Sequence, residues 1–176
     1  GATTDVNGKT QTIGALGGSG SLAVNNGRLE VTNGGDFGGV IQGNAGTVEL
    51  TGGTLTLTGA STFTGTTTVT SGILQIGNGA TTGSYAGSIA NEGSVIFNRS
   101  DDVAYGGVVS GSGNLVKDGN GTLTLTGVNA YTGGTEVNSG TLAIGNGGTS
   151  GIIIGNIANA GEVVFNRSDD IAYGGI

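Results

Sequence analysis

Two pairs of adjacent carboxylates, Asp101-Asp102 and Asp169-Asp170, come closest to catalytic chemistry in this sequence. Paired carboxylates hydrolyse glycosidic bonds when one acts as acid and the other as nucleophile or base, with roughly 5 to 9.5 Å between them. The pairs are 68 residues apart, and in the stacked coils inferred below this spacing predicts three coils, or about 14 Å. We therefore predict no catalytic residue and no cofactor-binding residue.

Each acidic pair is preceded by an arginine, Arg99 or Arg167. The simplest prediction is a turn in which the guanidinium group offsets the acidic charge. The alternative is a weak calcium site, because calcium takes carboxylate oxygens as ligands. Its candidate ligands are Asp101, Asp102, Asp169 and Asp170. The Gly-Gly-x-Gly-x-Asp repeat of calcium-binding β-helices is absent, since Gly34-Gly35-Asp36 alone does not match it.

Two threonine-rich stretches, 54–58 and 122–126, would place hydroxyl groups along one side of a strand. Ice-binding solenoids use such arrays, but they need one in every coil, and here the clear pattern comes once in about three coils. Threonine as a good strand residue on a wet face is the better explanation. The N-glycosylation pattern at Asn98, Asn120 and Asn166 is expected by chance in a chain so rich in Asn, Ser and Thr.

The formal net charge is −7, and the five basic residues form no cluster. Nucleic acid and anionic membrane surfaces are therefore not expected as partners, because both attract several cations on one face. The chain contains no cysteine and no histidine. It thus lacks a thiol nucleophile and the commonest general base and transition-metal ligand.

No apolar stretch is long enough to span a bilayer, and the first four residues lack the charged and apolar parts of a signal peptide. The chain has no initiator methionine and stops at Ile176, where the aligned copy described next continues. We expect it to be a fragment of a longer protein.

The sequence contains a long duplication. Shifted by 68 residues without a gap, residues 39–108 align with 107–176, and roughly 36 of about 56 positions between Gly53 and Val108 are identical. The predicted organisation is one β-solenoid segment over 1–176, with leading coils at 1–38, a first long repeat at 39–106 and a second at 107–176.

Both copies consist of short apolar runs separated by turns, with 41 glycines and no proline. Short strands cannot bury a face alone, and a tandem unit has no reason to close on itself, so stacking is favoured. Coils of about 20 to 25 residues would give about three coils per unit. The predicted fold is all-β, a right-handed parallel β-helix (β-solenoid), with an antiparallel sandwich or barrel as the alternative. Leu, Val and Ile should face inward and Thr, Asn and Ser outward. Wider corners should be filled by Phe97, Tyr105, Phe165 and Tyr173.

The stretch from Gly113 to Gly127, followed by Asn129-Ala130-Tyr131-Thr132-Gly133-Gly134-Thr135 and Gly140-Thr141-Leu142, closely resembles the autotransporter-associated β-strand repeat, or passenger-associated transport repeat. The first copy departs from this pattern, since Glu49 stands where the second has Lys117 and residues 60–66 match loosely. The resemblance implies a passenger region of a type V secreted protein of a Gram-negative bacterium. Such passengers are exported to the cell surface and usually held there by a C-terminal outer-membrane barrel, which this chain lacks.

Passengers of this family include adhesins, aggregating and biofilm proteins, cytotoxins and enzymes. The resemblance therefore implies a stalk structure and does not specify which of these activities the protein has. We expect a surface-exposed stalk that acts in adhesion, self-aggregation or biofilm formation, and not an enzyme. The alternative is an export and folding scaffold whose polysaccharide-active or toxic region lies outside this chain. Expected partners are like chains, host-cell surfaces or glycans, with membrane contact only through the missing barrel.

Overall fold

A computed structural model describes residues 3–175, in which all regular structure is β. The strands pair in parallel and wind into a β-solenoid of about eight turns. The predicted parallel β-solenoid is confirmed and the antiparallel alternative is wrong, whereas the right-handed winding stays a prediction. Gly1, Ala2 and Ile176 lie outside the described residues. None of the described residues forms a helix long and apolar enough to cross a membrane.

Each turn of the solenoid contributes to three faces in the same order. The first face is a seven-stranded sheet of β2 (Thr10–Ile13), β4 (Arg28–Val31), β7 (Thr47–Leu50), β9 (Thr66–Val69), β11 (Ile89–Asn91), β14 (Val109–Gly111) and β17 (Ala130–Tyr131). The second face is a seven-stranded sheet of β5 (Gly34–Phe37), β8 (Thr54–Leu57), β10 (Ile73–Ile76), β12 (Ser94–Asn98), β15 (Asn114–Asp118), β18 (Thr135–Val137) and β20 (Ile157–Asn159). The third face consists of two sheets, β1 (Thr3–Asp5), β3 (Ser21–Ala23) and β6 (Val40–Gln42), then β13 (Val103–Tyr105), β16 (Thr122–Leu125), β19 (Thr141–Ile144) and β21 (Glu162–Phe165).

The strands form because apolar and polar residues alternate over short stretches. In β4, Leu29 and Val31 are buried while Arg28 and Glu30 lie on the outer side, as expected for a strand with one wet face. Glycines then turn the chain at the corners. At Gly119 the φ angle is +77°, and a Cβ would collide with the backbone of Arg99 in the neighbouring coil. Only glycine fits such a position.

The core is a set of inward columns in which each residue stacks on its register partner. Phe97 and Tyr105 are both 1% exposed, with ring centroids 5.1 Å apart, so their predicted corner positions are confirmed. The same prediction is wrong for Phe165, which is 41% exposed. Phe165 ends the last strand of the third face within the described residues, where Ile144 is its register partner on one side and the ring of Tyr173 lies 5.2 Å away.

Several polar side chains lie inside, contrary to the expectation that Thr, Asn and Ser face outward. Their exposed fractions are between 0% and 4%. They are Ser61, Thr67, Asn91, Asn129 and Thr135.

One coil is close to 20 residues, since Ser94 pairs with Asn114 and Leu115 with Thr135. A unit of 68 residues therefore makes about three and a third turns, close to the expected figure of about three coils per unit. The expectation that equivalent positions lie directly above one another, about 14 Å apart, is wrong because of the additional third of a turn. Equivalent strands consequently lie on neighbouring faces. The Thr-Leu-Thr-Leu strand of the first copy, β8, belongs to the second face, and its equivalent in the second copy, β16, belongs to the third. The duplication thus turns each feature by about a third of a turn about the solenoid axis.

Candidate functional site

The first acidic turn is braced by an arginine. Arg99 is only 8% exposed and donates from Nε and Nη2 to the two carboxylate oxygens of Asp101, at 2.8 and 2.7 Å. Its Nη2 also donates to the carbonyl oxygen of Thr81 at 2.8 Å, and its Nη1 donates to that of Gly83. The planar guanidinium matches a carboxylate in this two-point way. Arg99 therefore ties the loop 77–88 to the turn after β12 and occupies both oxygens of Asp101.

Asp102 links two coils. Its Oδ1 accepts a hydrogen bond from the backbone N–H of Thr122, on β16, at 2.8 Å. This bond favours the charged form and holds the pKa of the Asp102 carboxyl below its usual value. A carboxylate that stays ionised is a poor proton donor, so the turn has the properties of a structural contact.

The second copy repeats the brace. Arg167 donates from Nε and Nη2 to Asp169 at 2.9 and 2.7 Å, and from Nη1 to the carbonyl oxygen of Gly151 at 2.6 Å. The hydrogen bond from Arg167 also holds the pKa of Asp169 below its usual value. The two turns lie at different corners, because Asp101 follows a strand of the second face and Asp169 a strand of the third. They do not come together in one site.

No group of three His, Cys, Asp or Glu side chains that could hold a metal ion occurs within residues 3–175. An ion at either acidic turn would compete with an arginine for the oxygens of Asp101 or Asp169. Calcium binding stays a prediction for its four candidate ligands, Asp101, Asp102, Asp169 and Asp170.

The most distinctive charged residue of the second repeat, Lys117, points into the core. It stacks between Phe97 and Val137 in an inward column of the second face and is 1% exposed. Its Nζ donates to the carbonyl oxygens of Asp118, Gly119 and Ser139 at 3.0, 2.8 and 3.2 Å. Burial lowers the pKa of the amine. Three donors thus meet three backbone acceptors of two successive coils, which makes Lys117 an internal clamp.

The Asn-x-Tyr-Thr-Gly-Gly-Thr segment is also turned inward. Asn129 accepts from the backbone N–H of Val109 at 2.9 Å and donates to the carbonyl oxygens of Gly127 and Ile152 at 3.1 and 3.0 Å. Its side chain thereby joins three successive coils. Tyr131, 0% exposed, shares a hydrogen bond of 2.6 Å with the hydroxyl of Thr135.

The characteristic side chains of the repeat are therefore used inside the solenoid. The sequence pattern did not reveal this, because a lysine or an asparagine on a short strand normally marks the wet face. The hydrogen bonds to neighbouring coils, two coils for Lys117 and three for Asn129, show why these residue types are needed. Any contact with another molecule has to come from the outer faces.

On the outer side of the first face, charge is concentrated around Arg28. It donates to Glu49 from Nε at 2.9 Å and to Glu30 from Nη1 at 3.1 Å. The hydroxyls of Thr12 and Thr70 donate to Glu30 and Glu49 at 3.2 and 3.0 Å. The bond from Arg28 holds the pKa of Glu49 below its usual value. These bonds join the strands β2, β4 and β7 and the turn after β9, and both carboxylates have hydrogen-bond partners.

Next to this network the first face carries an uncharged groove of about 470 Å³. Its residues come from four successive coils and include no charged and no aromatic side chain. The lining consists of Asn44–Thr47, Thr64–Thr66, Ser88–Ala90, Val108 and Ser110. We call it the threonine groove. No sequence motif marks it, because it is assembled across coils from residue types that are common throughout the chain.

A smaller groove of about 240 Å³ lies on the second face. We call it the second groove. Its lining consists of Asn114, Gly133–Glu136, Asn156 and Ala158.

The threonine-rich strands do not build a continuous threonine array. On the second face Thr56 of β8 has Asp36 and Gln75 as register neighbours. On the third face Thr124 of β16 lies between Ala104 and Ala143. The pattern is therefore confined to single coils, as the sequence predicts. Of the glycosylation-type asparagines, Asn120 and Asn166 are exposed and Asn98 is half-buried.

Comparison with known proteins identifies the repeat. The family model of the passenger-associated transport repeat matches residues 52–76 and 115–144. The two matches end at equivalent positions, Ile76 and Ile144, and the first begins beyond Glu49, the residue that departs from the pattern. The resemblance expected from the sequence is confirmed.

The adhesin BmaC autotransporter of Brucella suis biovar 1 (strain 1330) is 44% identical to the chain over 85 residues. The match covers 48% of this chain and 2% of that protein, so the chain corresponds to a small part of its relative. No solved structure matches the chain.

Proposed function

We propose that this chain, which carries two passenger-associated transport repeats on a parallel β-solenoid, is a surface-exposed segment of an autotransporter passenger and acts as a stalk in bacterial adhesion. The observation that carries the proposal is the 44% identity to an autotransporter adhesin. The fold supports it, because parallel coils stacked about 4.8 Å apart form an extended rod. The proposed location is the outer surface of a Gram-negative cell.

The proposed role is not enzymatic. Both oxygens of Asp101 are held by Arg99, and Asp102 is bonded to the next coil. Adhesion by such a segment depends on many weak contacts made by parallel copies, so that avidity replaces a deep pocket.

Adhesion is tested with beads that carry the folded 176-residue chain at high density, incubated with epithelial cells. The control beads carry the same chain after irreversible heat unfolding. Retention of the folded-chain beads above the control supports the proposal. Equal retention at every coating density contradicts adhesion by this segment.

Self-association with like chains, and through it aggregation or biofilm formation, is a finer part of the proposal. Three neighbouring apolar side chains support it, since Val128, Ile152 and Ile154 are 59%, 36% and 42% exposed. Val128 and Ile152 pair in a β-bridge, and exposed apolar patches mark interaction surfaces. The equivalent residues of the first copy are the smaller Ala60, Ser84 and Ala86.

Sedimentation velocity over a range of concentrations, at two salt levels and with or without calcium, tests this part. We expect mass to rise with concentration, and we expect the rise to disappear in the variant Val128→Ala/Ile152→Ser/Ile154→Ala. A monomer under every condition rejects self-association for this segment, and a calcium-dependent mass would favour the acidic turns instead.

A second candidate function is an export and folding scaffold. It is favoured by the side chains of Lys117 and Asn129, which bond backbone groups of adjoining coils and so stabilise each coil as it is added. Removing three coils from the full-length protein separates the two functions. Lower surface yield with unchanged adhesion per exported molecule favours the scaffold, and lost adhesion at unchanged yield favours the adhesive stalk.

A further inference from the structure

The threonine groove and the second groove are the same structural feature in the two copies. Gly46, the span 65–68, Ser88 and Ala90 in the first copy correspond to the lining residues of the second groove. The two grooves do not lie above one another, because the duplication moves each feature to the neighbouring face. A groove that recurs at equivalent positions is a property of the repeat rather than an accident of one coil.

The groove forms where one coil is longer than the others. Thr67 pairs with Ile89 and Thr135 with Ile157, which makes both coils 22 residues long. The extra residues belong to the loops 77–88 and 145–156, which Arg99 and Arg167 hold in place. The braced loop and the groove therefore occur in the same coil of each copy.

The threonine groove offers hydroxyl and amide groups to a ligand. Asn44, Thr64 and Thr66 are exposed, and no hydrogen bond of their side chains is found within the part of the chain that the structure describes. Ser88 accepts from the backbone N–H of Val108 at 3.1 Å, which leaves its own O–H free to donate. Ala45 and Ala90 supply small apolar contacts between these groups.

The strands beneath the groove exclude recognition of a peptide by strand addition. β9 pairs with β7 and β11, and β11 pairs with β9 and β14, so no free strand edge faces the groove. The net charge of −7 and the absence of a cation in the lining disfavour anionic ligands. A volume of about 470 Å³ lies in the range of small-molecule sites, roughly 300 to 1,000 Å³.

We propose that the threonine groove binds a short segment of a neutral oligosaccharide, with Asn44, Thr64, Thr66, Ser88 and Ser110 as the polar contacts. This inference deepens the proposed adhesive function and rests on it. No aromatic ring lines the groove for a sugar to stack on, so the affinity of one groove is in the millimolar range and adhesion depends on many copies. The second groove has about half the volume, and its lining includes the charged side chain of Glu136, whereas the threonine groove has no charged residue in its lining. It does not bind the same ligand.

The test is a titration of the ¹⁵N-labelled 176-residue chain, followed by backbone amide shifts. The probes are lacto-N-tetraose and a mannose tetrasaccharide, which represent animal-cell glycans, and cellotetraose, which represents a microbial matrix glucan. The anionic control is 3′-sialyllactose. We expect saturable shifts at Thr64–Thr66 and Ser88–Ala90 with at least one neutral probe, and the responding probe identifies the source of the ligand.

Two variants locate the binding. Thr66→Val/Ser110→Ala removes two hydroxyls of the groove and should weaken binding at least tenfold. Thr10→Val is the matched control, because Thr10 is an exposed threonine of the same face outside the groove, and it should leave binding unchanged. The proposal is overturned if no neutral probe shifts the groove amides at millimolar concentrations. It is also overturned if sialyllactose binds as well as the neutral probes, or if both variants behave alike.

Bead adhesion and sugar binding are independent measurements, so the failure of one proposal can be distinguished from the failure of the other. Beads that adhere although no sugar binds would overturn the groove assignment and leave the adhesive function standing. Sugar binding without bead adhesion would support the groove assignment and contradict the adhesive function.

Discussion

Deleting residues 54–113 should shorten the solenoid without disturbing its register. Thr54, Ile73, Ser94 and Asn114 are successive partners on the second face, so the deleted segment is three whole coils. In the shortened chain Asn114 follows Gly53 and takes the place of Thr54. Every strand beyond the junction keeps its face and its inward or outward orientation.

The size of the effect follows from the coil geometry. Three coils at about 4.8 Å each shorten the rod by about 14 Å. The urea m-value scales with the surface exposed on unfolding, so a reduction from about eight turns to five should lower it to about five-eighths of the parent value. Unfolding should remain cooperative, because each internal coil still contacts a neighbour on both sides.

Small-angle X-ray scattering measures the length, and urea unfolding followed by far-UV circular dichroism measures the m-value. Deletion of residues 54–103 is the matched control. It removes half a coil less, so the first coil beyond the junction is out of register with the coil before it, and the two parts should unfold in separate transitions instead of one. The assigned register would be refuted if the out-of-phase deletion folded as well as the in-phase one, or if only the in-phase chain aggregated.

Three further variants, two single and one double, test the internal contacts. Lys117→Ala removes the buried stem and leaves carbonyl oxygens unbonded, which should lower the free energy of unfolding by about 2 to 4 kcal/mol in urea titrations; a change near zero would contradict the clamp. Arg99→Gln should speed hydrogen exchange in the loop 77–88, and the loop held by Arg167 serves as the unchanged control; equal rates in both loops would argue against the brace. Burial raises the pKa values of Tyr85 and Tyr131 to about 12, while an unfolded tyrosine ionises near about 10. The folded chain binds more protons between these values, so stability should fall as pH rises from about 10 to about 12. In the double variant with phenylalanine at both positions the urea midpoint should depend less on pH in this interval, and an unchanged slope would contradict the assignment.

Much of the fold could be predicted from the sequence because it depends on local alternation and on the duplication. Phe97 and Tyr105 were placed in the core correctly, since an aromatic residue on a short alternating strand has only one apolar side to face. Phe165, the equivalent of Phe97 in the second copy, is more exposed because it lies on the last strand of its face among the described residues. Burial at that position depends on the next coil, which local sequence cannot report.

The phase of the coils could not be predicted. A gapless shift of 68 residues measures the length of the duplicated sequence and not the length of a turn, which is set by the corner geometry and by loops such as 145–156. Within the loop 145–156, the apolar run at 152–154 has the composition of a strand. It nevertheless forms only a single bridge, to Val128. The grooves depend on this phase, and residue types alone gave no sign of them.

The inward position of Lys117 was missed for a different reason. In the first copy its equivalent, Glu49, faces solvent and pairs with Arg28, so equivalent residues have opposite orientations in the two copies. A slip of one residue reverses every side chain of a strand. Alignment alone therefore could not show which of the two orientations each copy adopts.

The third of a turn that separates the two copies also determines how the solenoid presents itself to its surroundings. Equivalent features of the two copies face different directions around the solenoid axis. A third copy at the same offset would place the feature on the remaining face. Repetition of this kind distributes equivalent features over the faces of the solenoid instead of aligning them on one face. A substitution at equivalent positions of the two copies would therefore change two different faces of the solenoid instead of one continuous stripe.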